Sequence, residues 1–353
     1  MAESNQTRVK RRLPAVYWAA SLGLAGGLLY YSLRGIDWLR VWSILREARL
    51  AAVALAAGLL SLSVFLRACR WRVLLSAEGR VSIPLTFWAT SAGYLGNNVL
   101  PARAGEVVRT LMVSGQTGMS KAFVLTTALS ERVVDAIALL TLSSMVLLTL
   151  SNRPGWLAHA ARPIAVLGLS GVAAIALLPP LERFWLKFLT WTPIPGAFRE
   201  RVEGTLRHVL RGIRSFHDYR RLSQFVGLTA VVWCLDGVTT VVLASAIGVS
   251  ISLPIAFLLI AGLGLGSALP STPGYVGIYQ FVAVSILTPF GYSRTDAIAY
   301  ILLAQALSYV VLAFWGLIGL GVGQNLHIGD RLPRCEAPPN YEASPNYRER
   351  GIP

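Results

Sequence analysis

Long apolar runs separated by short basic segments set the pattern of this chain. Runs at about 14–33, 51–74, 121–150, 163–180, 224–248 and 296–322 each reach the roughly 17–25 residues that an α-helix needs to cross a bilayer. They predict six spanning helices. Two further apolar stretches, 83–113 and 254–289, are interrupted in the middle by proline and glycine, residues that end or kink helices. The interruptions share a motif. Leu100-Pro-Ala-Arg-Ala-Gly105 and Leu269-Pro-Ser-Thr-Pro-Gly274 each follow a Leu-Gly pair, Leu95-Gly96 and Leu265-Gly266. Pro101 and Gly105 mark the first break; Pro270, Pro273, Gly274 and Gly277 mark the second.

The basic residues test how these stretches thread. Lys and Arg stay on the cytoplasmic side of a membrane. If each broken stretch dips in and returns on the same side, Arg67, Arg70, Arg72 and Arg80, the long loop 181–222 and the tail all fall on that side, together with the N-terminus. The first re-entrant stretch then enters from the cytoplasm and the second from the opposite face. The expected fold is all-α and polytopic, with about six transmembrane helices and two oppositely oriented re-entrant broken helices, an inverted repeat of the kind found in transporters. Segment 34–49 lands outside in spite of Arg34, Arg40, Arg46 and Arg49. With Trp38 and Trp42 it reads as an amphipathic helix lying in the interface.

Three regions follow: a basic cytoplasmic N-terminus, 1–13; a transmembrane domain, 14–325; and a polar, proline-rich tail, 326–353, whose composition predicts disorder. The basic run Arg8, Lys10, Arg11 and Arg12 precedes an apolar stretch too long for the core of a signal peptide, so a retained first helix is expected. In loop 181–222, Arg207, Arg211 and Arg214 share a helical face. They serve topology alone or also adhere to anionic lipid heads.

Composition agrees: only 14% of residues are charged and mean hydropathy is +0.57, against roughly 25% charged in soluble domains. The net charge of +15 comes with no nucleic-acid motif, so it points to topology and not to nucleic acid. Cys69, Cys234 and Cys335 have no metal or redox spacing and read as packing residues. His159, His208, His217 and His327 likewise have no ligand spacing, and no cofactor is expected.

The polar residues that lie within apolar sequence carry the candidate chemistry. Around the first break stand Asn97, Asn98, Arg103, Glu106 and Arg109. Pro101 suits the start of the following helix, whose free N–H groups and positive dipole end suit an anion. Glu106 and Arg109 share a face of it. In the next helix Glu131 and Asp135 lie four apart with Arg132 beside them. A charge at the bilayer centre costs about 2.5–3.5 kcal/mol, so these residues must face protein, one another or water. Two readings stand: a charge network pinning the re-entrant segment, through Arg103 or Arg109 with Glu131 or Asp135, or a polar cavity receiving an anionic head group. The second break offers only neutral groups, Ser271, Thr272, Tyr279 and Gln280, and glycines suited to close packing. Asp236 either pairs with an arginine of the cluster or sits near a helix end.

At these residues the chain resembles the flippase-like membrane domain of lysylphosphatidylglycerol synthases. GYLGNNVLPARAGEVVR, SERVVD and PSTPGYVGIYQ carry the resemblance, which extends from about residue 14 to 325. It places Asn98, Pro101, Arg103, Gly105, Glu106 and Arg109 on a first family motif, Glu131, Arg132 and Asp135 on a second, and Pro273, Gly274 and Gly277 on a third. Two positions depart from the family pattern: Tyr275, where a second glycine is usual, and Gln280, where a glutamate is usual. The soluble aminoacyl-transferring domain of the synthases has no counterpart in these residues, so lysyl transfer is not expected.

The expected function is non-enzymatic translocation of an anionic or lipid-linked amphipathic substrate between leaflets of the cytoplasmic membrane. Arg103, Arg109 and Arg132 would bind the head group, and Glu106, Glu131 and Asp135 would orient them or carry protons. No phosphate-cradling P-loop is present to use ATP. The alternative is a non-transporting partner subunit of a glycosyltransferase or of a hopanoid or glycolipid pathway.

Overall fold

The structure of the protein, a computed structural model, describes residues 23–100, 104–149, 155, 159, 162–170, 218–267 and 273–326. The readings made for the N-terminus, most of loop 181–222, the tail, and residues 101–103 and 268–272 lie outside them. The described residues are helical and contain no strand: α1 (23–33), α2 (Trp38–Arg46), α3 (Leu50–Leu75), α4 (Ile83–Val99), α5 (Gly105–Thr117), α6 (Lys121–Thr149), α7 (162–170), α8 (Tyr219–Ala246), α9 (Leu253–Gly266), α10 (Ile278–Leu287) and α11 (Arg294–Leu326).

Among the described residues three helices are long and apolar enough to cross a membrane: α3, α8 and α11 over Arg294–Val322. Their outer faces expose Leu55, Leu62, Val226, Val231, Val310 and Phe314, an apolar surface far larger than a water-solvated protein tolerates. Helix α6 has 29 residues but carries Glu131, Arg132 and Asp135 in its first half.

The two interrupted stretches fold as antiparallel hairpins. Helix α4 ends as Leu100 turns to extended backbone (φ −87°, ψ 147°), the conformation that a following proline imposes. Helix α5 begins at Gly105, not at Pro101, and runs back along α4. The arms touch at glycine: a Cβ on Gly96 would lie 2.9 Å from the Gly105 Cα, and one on Gly93 3.0 Å from the Gly105 carbonyl. In the second hairpin Gly262 of α9 meets Val282 and Ile286 of α10, and Gly266 meets Ile278 and Val282.

The hairpins are set among the long helices in a reciprocal way. Helix α3 runs antiparallel to α8: the Arg49 amide bonds the Ala246 carbonyl at one end, and Arg70 bonds Thr229 toward the other. Helix α11, which follows the second hairpin, lies along α4 of the first, with Gly316 against Leu95 and Gly319 against Trp88. Helix α6, which follows the first hairpin, meets α9 of the second, with Leu139 against Gly264. Each half thus embraces the hairpin of the other.

Helix α2 forms as expected for segment 34–49. Asp37 caps it by accepting from the Arg40 amide at 3.0 Å. It buries Val41 and exposes Trp38, Leu39 and Trp42. Cys69 and Cys234 are free thiols, and Cys234 is exposed on α8, which corrects its reading as a packing residue.

Candidate functional site

The first hairpin is fastened to α3 and α6 by a buried charge network. Arg70 is its centre. Its guanidinium donates to Glu131 Oε1 through Nε (3.1 Å) and Nη2 (2.7 Å), to Asp135 through Nη1 (2.6 Å) and Nη2 (2.8 Å), and to Thr229 through Nη1 (3.3 Å). No part of Arg70 reaches solvent. Glu131 and Asp135 reach it together because residues four apart share a helix face.

Arg109 of α5 donates to Glu131 Oε2 at 2.9 Å and to the Ala128 carbonyl at 3.2 Å, pairs with Glu106, and lies over the Trp71 ring at 4.5 Å. Buried charges persist only when paired and hydrogen-bonded, and this network meets the condition. It joins Arg109 to Glu131, one of the pairings the spacing allowed.

Two arginines lie nearer to open space. Arg132 Nε donates to Glu106 Oε1 at 2.9 Å, and its guanidinium lies 5.3 Å from the Tyr94 ring centroid. Its side chain is 30% exposed. Its terminal nitrogens have no acceptor among the described residues. Arg67 pairs with Asp236, donates from Nε to Ser63 at 3.4 Å and lies 5.0 Å from the Trp233 ring centroid. The four arginines 67, 70, 109 and 132 thus balance four carboxylates, Glu106, Glu131, Asp135 and Asp236.

Both outer pairs line an open cavity of about 430 Å³ between the two halves, within the usual range for ligand sites. Asn97, Asn98 and Glu106 reach it from the first hairpin, Tyr275 and Tyr279 from the second, and Arg132, Asp135, Asp236 and Gln305 from the long helices. Asn97 has a structural task as well: its Oδ1 accepts from the Gly105 amide at 3.0 Å. That carbonyl takes one of the N–H groups at the start of α5, and Glu106 places a carboxylate in its first turn.

In the second hairpin Gln280 caps α10. Its Oε1 accepts from the Gly277 amide at 2.7 Å, and its Nε2 donates to Gln305 Oε1 at 2.5 Å. Gln305 in turn donates to the Gly274 carbonyl at 3.1 Å, which also accepts from Tyr309. The turn is left-handed at Gly274 (φ +74°), Tyr275 (φ +60°) and Gly277 (φ +91°). Pro273 opens it in a short 3₁₀ turn, Pro273–Tyr275.

Of the residues singled out from sequence, Asn97, Asn98, Glu106, Arg132 and Asp135 reach the cavity, while Arg109 and Glu131 stand behind it. Pro101, Arg103, Pro270, Ser271 and Thr272 lie outside the described residues. Of the cluster Arg67, Arg70, Arg72 and Arg80 read from sequence as cytoplasmic, Arg70 centres the buried network and Arg67 pairs with Asp236 on the cavity wall. Only their position inside the apolar run Leu50–Leu75 could have revealed this. Asp236 does pair with an arginine. No group of three His, Cys, Asp or Glu side chains suited to a metal occurs among the described residues.

Residues 18–316 match the family described as lysylphosphatidylglycerol synthase TM region. The chain is similar to glycosyltransferase AglD of Haloferax volcanii, with 28% identity over 327 residues, 83% of this chain and 51% of that protein. It therefore spans about half the length of that relative. It is also similar to a UPF0104 membrane protein of Methanocaldococcus jannaschii, with 22% identity over 222 residues, 63% of this chain and 91% of that protein.

Proposed function

The chain belongs to the lysylphosphatidylglycerol synthase transmembrane-region family, and on that footing we propose that it is a lipid translocase. It moves an anionic or lipid-linked amphipathic substrate between leaflets of a bacterial-type cytoplasmic membrane, with both termini cytoplasmic. It performs no chemistry on that substrate and needs no cofactor. The observation that carries the reading is the cavity lined from both hairpins and the long helices, with the terminal nitrogens of Arg132, unpaired among the described residues, on its wall.

The reciprocal packing of α11 on α4 and of α6 on α9 supports an inverted repeat, with α4–α5 and α9–α10 as re-entrant hairpins between six spanning helices. In this scheme Arg132 contacts the head group beside Arg67 on the same wall, and Arg103, outside the described residues, is a further head-group arginine. Glu106 and Asp135 orient the arginines, while Arg109 and Glu131 hold the hairpin in place.

A partner-subunit role draws support from one observation: Arg70 and Arg109 are buried and paired with carboxylates, as in a purely structural network. In that reading the chain binds lipid beside a glycosyltransferase or another lipid-modifying enzyme, the context suggested by its similarity to glycosyltransferase AglD.

Leaflet exchange of fluorescent anionic lipids in proteoliposomes tests the proposal. Wild-type protein accelerates exchange over empty liposomes, and Arg132→Gln and Arg103→Ala slow it with the fold intact. Exchange no faster than in empty liposomes across several lipid classes would sink the translocase and favour the partner subunit.

A further inference from the structure

We propose that the cavity selects a phosphodiester-linked polyol, a lipid whose phosphate carries a sugar or a similar ring of hydroxyls, over a head group bearing an amine. The inference rests on the reading of this cavity as the head-group site.

The wall supplies donors for one anionic charge. The terminal nitrogens of Arg132 have no acceptor among the described residues. The Tyr94 hydroxyl, beneath that guanidinium, is buried without a partner there. A guanidinium fork matches the oxygens of a phosphate. The wall supplies nothing comparable for a cation. Glu106, Asp135 and Asp236 each already lie at ion-pair distance from an arginine. An ammonium would have to displace a guanidinium from one of them, leaving a buried arginine unpaired, which is strongly unfavourable.

Further along the wall the surface changes from charge to aromatic rings. Trp233 lines the cavity, and its indole N–H is buried with no partner among the described residues. Tyr275 and Tyr279 stack with centroids 5.0 Å apart and planes within 12°. Flat aromatic faces suit the C–H faces of a sugar ring, while an indole N–H satisfies one of its hydroxyls.

Tyr275 adds an independent observation. At φ +60° it is the one non-glycine residue with positive φ among the described residues. A bulky side chain there is strained, and strain kept in a native structure concentrates at functional sites. Glycine would relieve it and remove the ring. The ring's place in the cavity wall is what the strained backbone retains.

The test uses the full chain in detergent and soluble phosphodiester probes, each carrying a single negative charge except the zwitterionic ethanolamine. Dihexanoyl phosphatidylmethanol carries the phosphodiester without a polyol, dihexanoyl phosphatidylinositol adds the polyol, and dihexanoyl phosphatidylethanolamine adds an amine. Geranyl phosphoglucose and geranyl methyl phosphate form the prenyl pair. Titration calorimetry should find the polyol member of one pair bound about tenfold more tightly than its methyl counterpart, the increment of one or two neutral hydrogen bonds. The pair that discriminates identifies the lipid source. The ethanolamine probe should bind no better than the methanol probe. Tyr275→Gly should close most of the gap while keeping the thermal midpoint, and Trp233→Phe, which removes only the N–H, should narrow it. Equal binding of methyl and polyol probes, or tightest binding of the amine, overturns the inference without recourse to any variant. Polyol selectivity with no leaflet exchange would remove only the translocase reading. Exchange with no polyol selectivity would remove only this inference.

Discussion

Replacing Arg70 with leucine separates the members of the charge network. Arg70 makes four hydrogen bonds to two carboxylates. Charge-assisted bonds are worth roughly 1.5–3 kcal/mol each, but their sum of about 6–12 kcal/mol ignores the cost of burying the charges. The better guide is the loss on removing one partner of a buried pair, about 3–5 kcal/mol. The two carboxylates do not suffer alike. Glu131 keeps Arg109 at 2.9 Å, whereas Asp135 has no other ion-pair partner among the described residues. The stranded charge is therefore Asp135. Arg70→Leu should cost about 3–5 kcal/mol in reversible unfolding in mixed micelles. Adding Asp135→Asn should recover about half of that loss, and adding Glu131→Gln should deepen it, since Arg109 then loses an acceptor. A cost below about 1 kcal/mol, or equal rescue by both second changes, would refute the assignment of Arg70 as a buried clamp.

Gly105→Ala should unfold the first hairpin, because the new Cβ would overlap the Gly93 carbonyl and sit 2.7 Å from the Asn97 amide; a loss of more than about 2 kcal/mol is expected in the same assay. Gly58→Ala, with nothing within 4 Å of its Cβ, should be neutral or stabilising by up to about 1 kcal/mol. Gln305→Leu strands the Gln280 amide nitrogen and should cost about 1–3 kcal/mol, read as a lowered thermal midpoint. Trp38 and Trp42 should lie at the headgroup level, so that in a variant retaining only these two tryptophans, brominated lipids quench their fluorescence when the bromine is shallow and much less when it is deep; equal quenching at both depths would place α2 elsewhere.

Hydrophobic runs and the paired Pro-Gly motifs made the helices and both breaks legible in the sequence, because length and helix-breaking residues act locally. Glu106 with Arg109, and Glu131 with Asp135, were readable as shared faces for the same reason. What bound them was not readable. Arg67 and Arg70 lie in α3, far along the chain from their partners, and a basic residue near a helix end carries the same local signal whether it faces the cytoplasm or a buried carboxylate. The cap on Gly105 was also not readable, because no spacing rule reveals that the Asn97 side chain accepts from that amide. Tyr275 was noticed only as a departure from the family pattern. Its left-handed backbone gives the physical reason that glycine is the usual residue there.

The two halves fasten their hairpins by different means. In the first, parting α5 from α3 and α6 would separate Arg109 from Glu131 and Glu106 from Arg132 in a medium that solvates ions poorly. In the second, parting α10 from α11 would break bonds among Gln280, Gln305, Tyr309 and the Gly274 carbonyl, all of them uncharged and open to replacement by water or a ligand hydroxyl. A molecule with one ionic latch and one neutral latch is not mechanically symmetric, whatever the kinship of its halves. Its resistance to parting is concentrated on one side, and the second hairpin is the more easily parted of the two.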